Sequence, residues 1–461
     1  MKFLIAIAAS VLMPLMIFPA AMAGADFLPE YDRFVLDNGL EVVIVENHRL
    51  PLIDLNLVFH FGSGLDSATM AGLACVTARM LEEGTENYSL DRLKASIDST
   101  GGAVDIYIGQ DMTIIWGDFL ARELEFALRI LSEMARRPVF TDEKLSVLKR
   151  RLVSSVMQEE AIPVYHLRTA LYERIFGGDG YGLPPRGTHH GLREIDLPMV
   201  RKFYDDYFQP NNASLILAGD IDSEAAAEMV REYFADWPAG PDIVRPPVTI
   251  ERSDSLRILL LDNPEAPSSE FIIGCPVGRM DADDAPALLL LDYILGSGGR
   301  VSRLSRSLVD DLHLATEISS MIKWHRPDGV FTIWGKGPNE SAADAVVAAL
   351  DVIADLRSIR VPVREIDEAR SHHMGIIPQY FESSRAIVSQ FGALLTLGFD
   401  LDFYEKLPRK FEAVDPSRLR EVASEYLAED RLIIVIVGPE TELKSDLSGL
   451  GELEIRSLSR H

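Results

Sequence analysis

Apolar and polar positions along the chain repeat with two periods. Near the start, LEVVIVENHRLPLIDLNLVFHFGSGLD holds two apolar runs separated by a loop with Pro51 and closed by a turn at Gly62, the pattern of two strands. GGAVDIYIGQDMTIIWGDFL, rich in β-branched and aromatic residues, reads as a strand pair turning around Gly109 and Gln110. SLDRLKASIDSTG, ARELEFALRILSEMARR and TDEKLSVLKRRLVSSVMQEE carry apolar residues at spacings of three and four, so each predicts an amphipathic helix. Thr141 stands at the N-cap position of the third. SLILAGDID adds a strand ending at Gly219.

The same order of elements is written twice. LRILLLDNPEAPSSEFIIGCPVGRMD places Leu256, Pro267 and Gly278 opposite Leu40, Pro51 and Gly62 at a constant offset of 216. LIIVIVGPE, ending its strand at Gly438, answers SLILAGDID at an offset of 219. DAPALLLLDYILGSG and AADAVVAALDVIADLRSI supply helices in the second copy. The expected fold class is α+β: two homologous domains, each a largely antiparallel sheet packed with helices. Residues 28–237 form the first, residues 256–445 the second, and the Pro- and Gly-rich residues 238–255 the linker, because Pro fixes φ and removes a donor.

Charge changes the picture more than composition does. A formal net charge of -26 argues against a phosphate-rich partner, which needs clustered Lys and Arg, and would steer basic peptides inward. Residues 1–23 pair Lys2 with an apolar run and end in Ala21-Met22-Ala23, as a cleaved secretory signal peptide does; an uncleaved anchor is the alternative. No later run reaches the ~20 apolar residues that span a bilayer, so a periplasmic or secreted location is expected. The two cysteines, Cys75 and Cys275, sit in apolar stretches and are expected to be buried free thiols.

These segments, in this order, resemble the M16 peptidase family, the pitrilysin and insulinase group, in its two-domain form related to mitochondrial processing peptidase subunits. The resemblance rests on LDNGLEVVIVE, the Gly62-Ser63-x-x-Asp66 turn, AGLACVTARMLEEGT, the strand region after Gly101 and Gly102, and GSGGRVSRL around Ser302, Arg303 and Leu304. It implies an inverted zinc motif, H-x-x-E-H, on the helix that here reads CVTAR. There, imidazoles at i and i+4 share one helix face and hold Zn²⁺, while the Glu serves as base for the bound water. Cys75, Ala78 and Arg79 occupy those positions.

The third ligand that the resemblance implies, a Glu on a later helix, falls on Ser155 or Val156. A shifted alignment brings in Glu159 or Glu160 but restores no base. An Arg and Tyr pair implied for the second domain falls on Val309 and Thr316; Arg306 and His313 share its spacing only after a shift of three residues. A guanidinium ~4 Å from a divalent ion, at an effective dielectric of ~20, would oppose it by roughly 8 kcal/mol. Catalytic residues and cofactors are therefore expected to be absent, with zinc required only by the alternative, an active metalloendopeptidase. The plain reading of this helix has Leu73, Val76, Met80 and Leu81 as a buried stripe, Cys75 as a small hydrophobe and Arg79 paired with a nearby acid. A reactive Cys75 would need a neighbouring His. The adjacent pairs His189-His190 and His372-His373 point in different directions and make no metal clamp.

Peptide binding is what the resemblance leaves. In the family, the strand after the paired glycines adds substrate as an extra strand. Here that strand lies in residues 103–110, with Asp105, Ile106, Tyr107 and Ile108 as its expected contacts; the alternative is an ordinary strand whose Ile106 and Ile108 face the core. The expected function is an exported, catalytically inactive subunit that pairs with an M16 subunit bearing an intact zinc motif and helps enclose peptides. A non-enzymatic scaffold or peptide-binding protein is the remaining alternative. No nucleic-acid partner is expected, nor a membrane span after signal cleavage.

Overall fold

The computed structural model describes residues 27–243, 245–251 and 255–458; the signal segment expected at residues 1–23 lies outside them. The first repeat supplies β1 (Asp32–Val35), β2 (Glu41–Glu46), β3 (Leu52–Phe59), β4 (Ala103–Ile108), β5 (Thr113–Leu120) and β6 (Ala213–Gly219). They form one sheet in the order β1-β2-β6-β3-β5-β4. Only β2 and β6 pair in parallel there. The second repeat supplies β7 (Arg257–Asp262), β8 (Ser269–Pro276), β9 (Glu317–Lys323), β10 (Val330–Gly337), β11 (Ile433–Gly438) and β12 (Glu452–Ser457), in the order β12-β7-β11-β8-β10-β9. The sheets are mixed with antiparallel pairs in the majority, and helices pack on them, an α+β architecture present twice.

Position in the sheet explains the composition of each strand. β6 is buried at every residue because it lies inside the sheet with both faces covered, and ASLILAG is accordingly a continuous apolar run. β4 is an edge strand bonded only to β5, and AVDIYI alternates. The outermost places differ between the copies. β1 runs antiparallel to β2, whereas β12 comes from the far end of the chain and runs parallel to β7. The second sheet thus ends beyond residue 445, past the boundary expected from the repeat. The short, mostly exposed ELEIRS carries too weak an apolar pattern to mark itself as a strand.

Each repeat lends a helix to the other. Pro163–Phe176 packs Leu167, Leu171 and Ile175 against Leu259, Ile272 and Val435 of the second sheet. Ser384–Leu397 packs Ile387, Val388 and Phe391 against Val43, Val58 and Ile216 of the first. The second helix approaches so closely that a Cβ on Gly392 would lie 3.0 Å from Val58 Cγ2. The intervening segment is also tied down: Arg245 Nη2 donates to the His60 carbonyl at 2.5 Å and the Glu251 N–H to the Ile175 carbonyl at 2.9 Å. A buried polar knot joins the halves. The Asp111 carboxylate meets His325 Nδ1 at 3.0 Å, accepts the Arg326 N–H at 3.0 Å and accepts the Tyr181 hydroxyl at 2.5 Å. His325 Nε2 lies 3.1 Å from the Tyr172 hydroxyl.

Candidate functional site

The helix that carries the motif positions, Leu73–Met80, is anchored by the turn before it. Gly62 is obligatory there, since a Cβ would lie 2.1 Å from the Gly109 carbonyl oxygen. Ser63 and Gly64 donate their N–H groups to the carbonyls of Gly109 and Gln110 at 3.0 and 2.9 Å. The buried Asp66 carboxylate then accepts the N–H groups of Gly72 and Ala74 at 2.8 and 2.9 Å, satisfying donors that the first helical turn leaves unpaired. Burial nevertheless pushes its pKa up to about 7, against those two hydrogen bonds.

Along this helix Cys75 and Ala78 are buried, and Arg79 emerges on the Cys75 face. Burial pushes the Cys75 thiol up to about 12, with the Arg79 charge pulling the other way. Arg79 Nη1 donates to Glu82 Oε1 at 2.9 Å and to Asp105 Oδ1 at 2.6 Å, tying the helix to the β4 edge. Glu82 is pushed up to about 7, first by burial, with Arg79 opposing and Asp105 reinforcing. Asp105 also feels burial, but hydrogen bonds from Arg79 and from the Ile106 N–H prevail and hold it below the ordinary carboxyl range. The second of those bonds is 2.7 Å long.

The remaining positions do not complete a metal site. Ser155 is half-buried on the Asp142–Glu160 helix, next to the fully buried Val156. Glu159 is paired with Arg186 at 2.5 Å. A zinc ion would meet a protonated thiol, a methyl group and a committed guanidinium, so this donor set does not fit the metal. Among the described residues, no group of three or more His, Cys, Asp and Glu could hold one.

In the second repeat, Val309 packs half-buried against the core, and exposed Thr316 donates both its N–H and its hydroxyl to the Lys336 carbonyl, at 2.8 and 3.0 Å. Arg306 and His313 are both exposed, and His313 bonds the Val309 carbonyl through Nδ1 at 2.9 Å. His373 is half-buried: its ring stacks on Phe411, and its Nε2 lies 3.1 Å from the Leu289 carbonyl oxygen.

The sequence profile described as "Insulinase (Peptidase family M16)" matches residues 41–188, and that described as "Peptidase M16 inactive domain" matches residues 194–372. The chain belongs to the M16 peptidase family. A Bacillus subtilis (strain 168) protein named "Uncharacterized zinc protease YmxG" is 20% identical to this M16 chain over 404 residues, covering 88% of it and 97% of the relative. "Non-peptidase homolog YmxG" of Helicobacter pylori (strain ATCC 700392 / 26695) is also 20% identical, over 86% of the chain and 91% of its own length. The structure titled "The crystal structure of a protease from Helicobacter pylori" superposes with a TM-score of 0.84 at 21% identity, covering 89% of this chain and 100% of that one. The fold is thus that of M16 structures.

Of the expected peptide contacts, Asp105 and Tyr107 are exposed, Ile108 is half-buried and Ile106 is in the core. The expected acid beside Arg79 is Glu82, three residues on, together with Asp105 of β4. The Asp105 contact is not legible in the sequence, because it depends on how β4 lies across the helix. Both cysteines are buried and free. Iodoacetamide at pH 7.5 is therefore expected to leave Cys75 unmodified in the native protein and to alkylate it in guanidinium. Mass spectrometry that finds rapid native modification would rule out the buried thiol.

Proposed function

We propose that this chain is an exported, non-catalytic M16 subunit that binds peptides along the β4 edge and encloses them together with a zinc-bearing M16 partner. The observation that carries this reading is Arg79. At the second ligand position it places a permanent cation bonded to Glu82 and Asp105, while Ala78 offers no base and Cys75 no thiolate near neutral pH. The chemistry is gone, but the edge strand beside it, free on one side, keeps the backbone groups that accept an added strand. Among the described residues no helix is long and apolar enough to cross a membrane.

The test is affinity purification of the tagged chain from its own cells. The expected result is a companion M16 chain with H-x-x-E-H intact, substoichiometric zinc on this chain alone, and N-terminal sequencing that begins after Ala23. One zinc per isolated chain with chelator-sensitive peptide cleavage would instead establish the active-peptidase alternative; recovery as a lone monomer would remove the partner.

A further inference from the structure

Where β4 stops, at Ile108, a cavity of about 240 Å³ opens. Tyr107 and Gln110 line it from the first repeat, Tyr165 and Arg168 line it from the crossing helix Pro163–Phe176, and Lys323 closes it from the end of β9. Three cations line this wall, Arg168, Arg186 and Lys323, against one lining carboxylate, Glu159; the Glu160 charge also reaches Tyr165 in the same wall. Arg186 and Glu159 neutralise one another. Asp111, whose charge reaches Lys323, already receives His325, Tyr181 and the Arg326 N–H. Lys323 Nζ touches Gln110 Oε1 at 3.5 Å, and among the described residues neither Lys323 nor Arg168 is ion-paired.

Burial in the cavity wall, and next the like charge of Arg168, hold the Lys323 ammonium below the ordinary lysine range. Two like charges facing one cavity repel, and an anion placed between them relieves that repulsion. We propose that this cleft is a carboxylate subsite, receiving an acidic side chain or the terminal carboxylate of a peptide that lies along β4. The inference rests on the peptide-binding reading above. It runs against the field of the whole molecule, because a net charge of -26 favours basic peptides at long range. Long-range steering and local recognition therefore select different parts of one peptide.

Fluorescence anisotropy at physiological salt tests this with three labelled Thr/Val-rich peptides: one with a free C-terminal carboxylate, one amidated with an internal Glu, and one amidated with Gln in its place. At least one carboxylate peptide is expected to bind about tenfold or more tighter than the Gln amide, and which of them does so identifies the source of the carboxylate. Combining Lys323→Glu with Arg168→Glu should abolish the difference without weakening the Gln amide, and Lys323→Arg should retain it. Equal binding of all three peptides to the wild type, or a preference that survives the double substitution, overturns the subsite and leaves peptide binding standing. No binding of any peptide overturns both. The wild-type series alone decides between these outcomes if the double variant does not fold.

Discussion

Replacing Phe391 with alanine is expected to lower stability by roughly 3–5 kcal/mol, the usual range for emptying a fully buried aromatic site. The loss should appear in the half of the molecule to which Phe391 does not belong by sequence. Its ring is completely buried, edge-on to Tyr31 with centroids 5.5 Å apart, in a cluster with Val43, Val45, Val58 and Ile216 of the first sheet. Helix and sheet already meet at contact distance at Gly392, so backbone collapse into the vacated space is limited and most of the cavity should persist. Urea denaturation measures the size of the effect, and hydrogen exchange its location: protection should fall in β3 and β6. Loss confined to residues after 255 would contradict the exchange of helices. Leu171→Ala on the reciprocal helix should act in mirror image on β8 and β11, at roughly 2–5 kcal/mol.

That exchange marks the limit of what the sequence discloses about the fold. The constant offset between Leu40, Pro51, Gly62 and their counterparts requires two copies of one strand order, and β2, β3 and β6 recur as β7, β8 and β11 in equivalent places. An amphipathic pattern states that a helix buries one face; it does not state against which sheet. Ser384–Leu397 and Pro163–Phe176 are not among the helices read from the sequence, and the sheet on which each packs belongs to the other repeat. Asp111 and His325 show the same limit. Each is unremarkable in its own repeat, and they meet only because the halves face one another across 214 residues of chain.

The site was legible in a different measure. Spacing along one helix put Cys75 and Arg79 on a common face, and the structure keeps them there. What spacing could not supply is the contact between elements. Arg79 is held by Asp105 of β4 as well as by its helical neighbour Glu82, and Asp105 at the same time takes the Ile106 N–H. On the proposed peptide-binding reading, a strand added at this edge would compete with a carboxylate of the protein itself for that donor. The cleft beyond β4 joins Arg168 and Lys323 from different repeats, and neither lies near a motif position that would have drawn attention to it.

The same buried acids give the protein an unusual dependence on pH. Asp66, pushed by burial from 3.8 to about 7, and Glu82, pushed from 4.5 to about 7, both hold a proton more tightly in the folded chain than in the unfolded one. Between about pH 4.5 and 7 the unfolded chain therefore carries fewer protons, and stability falls as pH rises through this window, by roughly 3 kcal/mol for each group. Asp54 and Asp292, pushed to about 6 by burial, act in the same direction over its lower part. Asp105 and Asp111, held below the ordinary range, oppose this only in more acid solution, where stability is lost as pH falls through their folded pKa values. Urea midpoints should accordingly be highest near pH 5 and decline toward pH 7.5; a midpoint that is flat or rises over that interval would reject the buried, protonated pair. Glu82→Gln separates the two principal contributors. It keeps an acceptor for Arg79 but has no proton to lose, so its midpoint should decline less steeply than the wild type, and the slope that remains should come chiefly from Asp66 at the N-terminus of the motif helix.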